Sequence, residues 1–84
     1  MKRVAVISAI LEKPEESQGI FNDIVAAYKH IIKGRMGLPL IDGEISVISI
    51  ILLGEINEIN SLNGKLGKIP NIQVKTSLSK KEID

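Results

Sequence analysis

Two segments constrain this chain more than anything else in it: "RVAVISAIL", residues 3–11, and "EISVISIILL", residues 44–53, are apolar at nearly every position. Both are rich in β-branched residues, contain no breaker and are short for a helix, so each reads as a strand. Successive side chains of a strand point to opposite faces. In the first strand Val4, Val6, Ser8 and Ile10 form one set and Ala5, Ile7, Ala9 and Leu11 the other. In the second, Ile45, Val47, Ser49, Ile51 and Leu53 alternate with Ser46, Ile48, Ile50 and Leu52. Neither strand has a polar face, which puts both at the centre of a sheet that is covered on two sides.

The intervening segments complete a pattern. "PEESQGIFNDIVAAYKHII" opens with Pro14 and two glutamates, suited to the first turn of a helix and its dipole, and carries Ile20, Ile24, Ala27, Tyr28 and Ile31 at helical spacing. Gly34 is expected to end that helix or to follow it closely. "RMGLPLI" then reads as a short edge strand, because proline forces extended geometry on its predecessor and is not tolerated centrally. Asp42-Gly43 is a strong hairpin turn that joins it to the second apolar strand. "GEINEINSLNGKLGKI" spaces Ile56, Ile59, Leu62, Leu66 and Ile69 as an amphipathic helix, with Gly67 as its expected cap. "NIQVKTSLS" alternates Ile72, Val74, Thr76 and Leu78 with Gln73, Lys75 and Ser77, a strand with one face in water.

The order is βαββαβ. It defines an α+β, ferredoxin-like sandwich, in which two helices cover one face of a four-stranded antiparallel sheet, with strands one and three central and two and four at the edges. We expect a single domain over residues 1–79 and a charged, frayed tail, "KKEID", at 80–84.

Two helices shield only one side of such a sheet. A chain of 84 residues already has a thin core, since small domains bury only about 60% of their unfolded surface. Leaving four or five large aliphatics in water forgoes on the order of 10 kcal/mol, comparable to a small domain's whole stability. The pattern therefore predicts a homo-oligomer, a dimer or a tetramer, with Ile45, Val47, Ile48, Ile50, Ile51 and Leu52 as candidate interface residues.

Charge and composition exclude several functions. With 11 Lys and Arg against 10 Asp and Glu, the net charge of +1 offers no basic stripe for a phosphate backbone, so direct nucleic-acid binding is not expected. The absence of cysteine removes thiolate metal sites, iron–sulfur ligation and cysteine nucleophiles. His30 is the only histidine and reads as a surface or capping group, so neither a metal nor a cofactor is expected. The serines lack an identifiable base, and Glu15 and Glu16 point apart on a helix, so no catalytic set emerges. "MKRVAVISAIL" lacks a cleavage site, and the longest apolar run is far below the roughly 20 residues of a membrane helix. A cytoplasmic chain without a membrane segment is the expectation.

One motif remains. Gly34-Arg35-Met36-Gly37-Leu38-Pro39 leads from a helix into a strand, the reverse of a phosphate-cradling loop, which opens a helix. Mechanically it is a cap glycine, an edge strand and a bulge glycine. Functionally, Arg35 offers a fork for a carboxylate or phosphate and Gly37 permits close approach, so Gly34, Arg35, Met36 and Gly37 are the candidate ligand-binding residues.

With "GRMGLP", "ISVISIILLG" and "LNGKLGKIPNIQVK" in view, the chain resembles the ACT-like family named as regulators of the iron-only hydrogenase system, over residues 3–79. That fold is also similar to the C-terminal domain of the nickel-responsive repressor, whose His and Cys ligands have no counterpart here. The resemblance implies an oligomeric, noncatalytic regulatory module that senses a small molecule. Any control of transcription would then run through a partner, since no DNA-binding segment is present. Two rivals stand beside it. One is a structural module that binds another polypeptide on an edge strand. The other is an acylphosphatase-like hydrolase, whose glycine-rich loop would belong where this chain has "EKPEES".

Overall fold

The computed structural model describes residues 1–84, the side chain of Leu40 apart. Its elements are β1 (Lys2–Leu11), α1 (Pro14–Ala26), a 3₁₀ turn (Lys29–Ile31), β2 (Ile32–Ile41), β3 (Ile45–Glu55), α2 (Ile56–Gly67) and β4 (Ile72–Ile83). The strands form one antiparallel sheet in the order β2-β3-β1-β4. The two doubly apolar runs thus occupy the centre, as the alternation argument requires.

Register decides which set lies beneath the helices. Ala5, Ile7, Ala9 and Leu11 stand opposite Leu52, Ile50, Ile48 and Ser46, and all eight are buried. On β4, Leu78, Thr76, Val74 and Ile72 continue the same rows. From α2, Ile59, Leu62 and Leu66 close the core from above, joined by Ile69 just beyond the helix. Ile48, Ile50 and Leu52, three of the six candidate interface residues, therefore belong to the core within the chain, where each contributes about 1.5–3 kcal/mol. The other three, Ile45, Val47 and Ile51, lie on the opposite face of β3.

Helix α1 turns inward a stripe rotated toward Phe21, which keeps Ile24 against the core and leaves Ile20 outside. Pro14, Ser17, Phe21 and Val25 are buried, while Ile20 is 47% exposed. The helix seats its bulkiest side chain, Phe21, against the sheet. Ser17 can be buried beside it because its hydroxyl donates to the Lys13 carbonyl at 3.1 Å. The helix also stops early, and Tyr28 and Ile31 enter the core from the turn that follows it.

The glycines depart from expectation as well. Gly34 lies inside β2, so the whole hexamer is strand. The β2 irregularities fall between Ile32 and Gly34 and between Leu38 and Ile41, while Gly37 pairs regularly with Ile48. Gly67 is the last residue of α2, whose cap is Lys68 in right-handed geometry; the left-handed residue in this connection is Asn71, at φ 60°. Asp42 and Gly43 do form the hairpin turn, with φ of 51° and 77° and a bond from the Glu44 N–H to the Ile41 carbonyl.

Residues 80–83, expected to lie in a charged tail, are in strand conformation. β4 runs on to Ile83, pairing with Lys2 and Arg3 after a register shift between Arg3 and Ala5. Ser79 makes this possible, because its hydroxyl accepts the Val4 N–H at 3.1 Å and donates to the Lys81 carbonyl at 3.0 Å. An Arg3–Glu82 ion pair at 3.4 Å lies beyond it.

Candidate functional site

The sheet's far face is open. Across it run Leu38, Val47 and Ile10 in one row and Ile51 and Val6 in another, with Met36, Ser49, Ser8 and Lys75 between them. Met36 is 70% exposed, Leu38 60% and Ile51 47%. These exposures follow from topology, because both helices lie on the opposite side and leave alternate residues of the central strands in water.

On the helix side, α1 and the β2 edge diverge and leave a cleft of about 150 Å³. Gln18 of α1, Arg35, Gly37, Leu38 and Pro39 of β2, and Ser46 and Ile48 of β3 line it. Arg35 pairs with Ile50 and Gly37 with Ile48, so both belong to the helix-side set. The Arg35 guanidinium is held in place: it lies 5.5 Å from the centroid of the Phe21 ring and donates to Asn22 Oδ1 at 2.7 Å. That bond uses one of the five N–H donors of the fork.

Strand alternation therefore divides the four candidate binding residues. Arg35 and Gly37 line the cleft, Met36 lies on the open face opposite Ser49, and Gly34 stands opposite Ile51. Neither glycine is demanded by packing. A Cβ on Gly34 would meet Ile51 at 3.9 Å, and one on Gly37 would meet Ile48 at 3.8 Å, both ordinary contacts, and neither residue has positive φ. What their absent side chains leave is access.

Sequence reasoning missed the cluster between the 3₁₀ turn and α2. The Tyr28 hydroxyl lies 2.7 Å from Ser61 Oγ, and the Lys65 ammonium lies 5.0 Å from the Tyr28 ring centroid. Hydrogen bonding to Lys65, then to Ser61, pulls the Tyr28 pKa below its ordinary value, and burial opposes the shift. His30 Nε2 meets Glu58 Oε2 at 2.5 Å nearby. Only the turn brings these residues together. The signal available was the spacing of Glu58, Ser61 and Lys65, which share one face of α2.

A family model described as "Iron-only hydrogenase system regulator, putative" matches residues 3–76. The chain belongs to this TM1266-like family. The structure of uncharacterized protein TM1266 from Thermotoga maritima superposes with a TM-score of 0.89 at 28% identity, covering 95% of this chain and 100% of that one. Two more distant structures share the fold alone. The ACT domain of GTP pyrophosphokinase from Chlorobium tepidum has a TM-score of 0.67 at 16% identity, over 92% of this chain and 100% of that one. The C-terminal domain of the MgtC protein from Mycobacterium tuberculosis has 0.71 at 13%, over 93% and 88%. No curated protein matches the chain. Membership in a TM1266-like regulator family and the ACT-like fold together support a regulatory role. Among the described residues, no helix is long and apolar enough to cross a membrane.

Proposed function

We propose that the chain is a noncatalytic regulatory module that self-associates through the open face of its sheet and reads a small effector in the cleft between α1 and β2. The observation that carries this reading is the two-sided use of β2. Arg35 and Gly37 line the cleft, while Met36 enters the apolar face that assembly would cover. An effector that clasps Arg35 biases the position of a strand whose other side belongs to the interface. Effector binding and assembly are then coupled, and by reciprocity each alters the other by the same factor, on a typical scale of about 1–3 kcal/mol.

Sedimentation at micromolar concentration, with and without an effector found by thermal-shift screening, tests both halves. The reading expects an oligomer whose stability changes with effector, and loss of effector affinity in Arg35→Ala. A monomer insensitive to concentration removes the assembly, and undiminished affinity in the variant removes Arg35 from the site.

A further inference from the structure

The cleft at Arg35 does not end there. A second, more open cavity of about 350 Å³ shares Gln18, Pro39 and Ser46 with it and extends to Pro14 and Glu15. A third, of about 440 Å³, takes over at Glu15 and is lined by Glu12, Glu44, Gly43 and Ile45. Together they make a groove along α1 with a cation at one end and three carboxylates at the other. Those carboxylates come from three places: the exit of β1, the first turn of α1, and the start of β3. Among the described residues, neither Arg35 nor any of the three glutamates has an ion-pair partner. The waist between the ends is mainly apolar, with Pro14, Pro39 and Ile48 beside Gln18 and Ser46.

Resting on the reading of the cleft as an effector site, we infer that this groove takes a bipolar ligand, with a carboxylate clasped by Arg35 and an ammonium held by Glu15 and its neighbours, across an apolar body. The spacing follows from the helix. Glu15, Gln18 and Asn22 lie on one face of α1, and Asn22 holds Arg35. Seven residues at about 1.5 Å each place the backbone positions of Glu15 and Asn22 about 10 Å apart along the axis, which sets the scale of the span between the two charges. An extended tripeptide with both termini free spans about 10 Å, as does an unbranched ω-aminooctanoate. An α-amino acid, whose charges are adjacent, cannot reach both ends.

Calorimetric titration of the full chain with trialanine and with ω-aminooctanoate tests this and separates the two sources. Binding of either supports the inference, and the one that binds more tightly names the source. Acetylating the amino terminus or amidating the carboxyl terminus is expected to weaken binding about tenfold or more, the effect of losing one charge-assisted contact. In Glu15→Gln the gap between the free and acetylated peptides should narrow; in Arg35→Gln the free and amidated ones should converge. Both positions are exposed, so unchanged melting temperatures show that each variant is folded. Equal binding of blocked and free peptides overturns the bipolar ligand, as does no binding of either probe. If thermal-shift screening meanwhile yields a different ligand lost in Arg35→Ala, the effector reading stands and only the bipolar ligand is overturned.

Discussion

Gly54 and Ile31 approach so closely that a Cβ on Gly54 would sit 2.9 Å from Ile31 Cγ2 and 3.2 Å from its Cβ. The turn after α1 drops Ile31 into the core directly against the β3 backbone, and glycine is what makes the room. Gly54→Ala should therefore destabilise the fold by about 1–3 kcal/mol, the usual cost of overpacking. Denaturant midpoints measure it, and Ile31→Leu in the same chain, which removes the Cγ2 branch, should recover part of the loss. An Ala variant as stable as the parent would mean that Ile31 has somewhere else to go.

The two faces of β3 give opposite predictions for adjacent residues. Ile50→Ala removes a fully buried side chain and should cost about 2–5 kcal/mol. Ile51→Lys, on the open face, should leave the fold intact and shift sedimentation toward the monomer. If Ile51→Lys leaves the mass distribution unchanged, the open face is not the assembly surface.

Tyr28 is the only tyrosine and the chain has no tryptophan, so ultraviolet absorbance follows this phenol alone. It should ionise below the ordinary value of 10.0, and Lys65→Met should move the transition upward. The sign for stability follows. Between the lowered folded pKa and 10.0 the unfolded chain holds more protons, so this group adds stability as pH rises through that window. The gain is complete above 10.0, is lost as pH falls through the folded pKa, and is absent at neutral pH. An unshifted transition in the parent would place the ammonium away from the phenol.

Ser79→Ala leaves the Val4 N–H without its acceptor at the β4 irregularity. The expected cost is about 0.5–1.5 kcal/mol, with faster amide exchange at Val4 and at residues 80–83. Exchange confined to the last residue would show that the strand end holds without the hydroxyl.

At Gly37, alanine should be tolerated, or even slightly stabilising, since the added methyl meets only ordinary contacts and glycine weakens strand interiors by about 0.5–1 kcal/mol. Effector affinity should fall nonetheless, because the methyl projects into the cleft. Loss of stability together with retained affinity would reverse the role given to this residue.

The element order and the central places of β1 and β3 were legible because alternation is a strict geometric code, and apolar residues on both faces leave only interior positions. The inward stripe of α1 was less so. Ile20 and Phe21 flank a broad apolar stripe that includes Ile24, and which edge turns inward depends on what the sheet presents. The extended β4 escaped notice because "KKEID" has no strand composition; its order comes from ladder pairing with Lys2 and Arg3, helped by one serine hydroxyl and one ion pair with β1. At the site, Arg35 and Gly37 stood out in the sequence, but their separation from Met36 follows from strand parity. Gln18, Asn22 and the three glutamates carry no motif, and only the packing of α1 over the β2 edge gathers them.

The skipped partner at Lys33, between Ile32 and Gly34, sets the phase of everything that follows in β2. Lengthening or shortening this stretch by one residue would rotate the strand half a turn, driving the guanidinium among aliphatics and the thioether into the groove. Related chains should therefore differ here by substitution, or by gaps that come in even numbers. An odd gap found between these positions in a relative would mark one that has abandoned the groove.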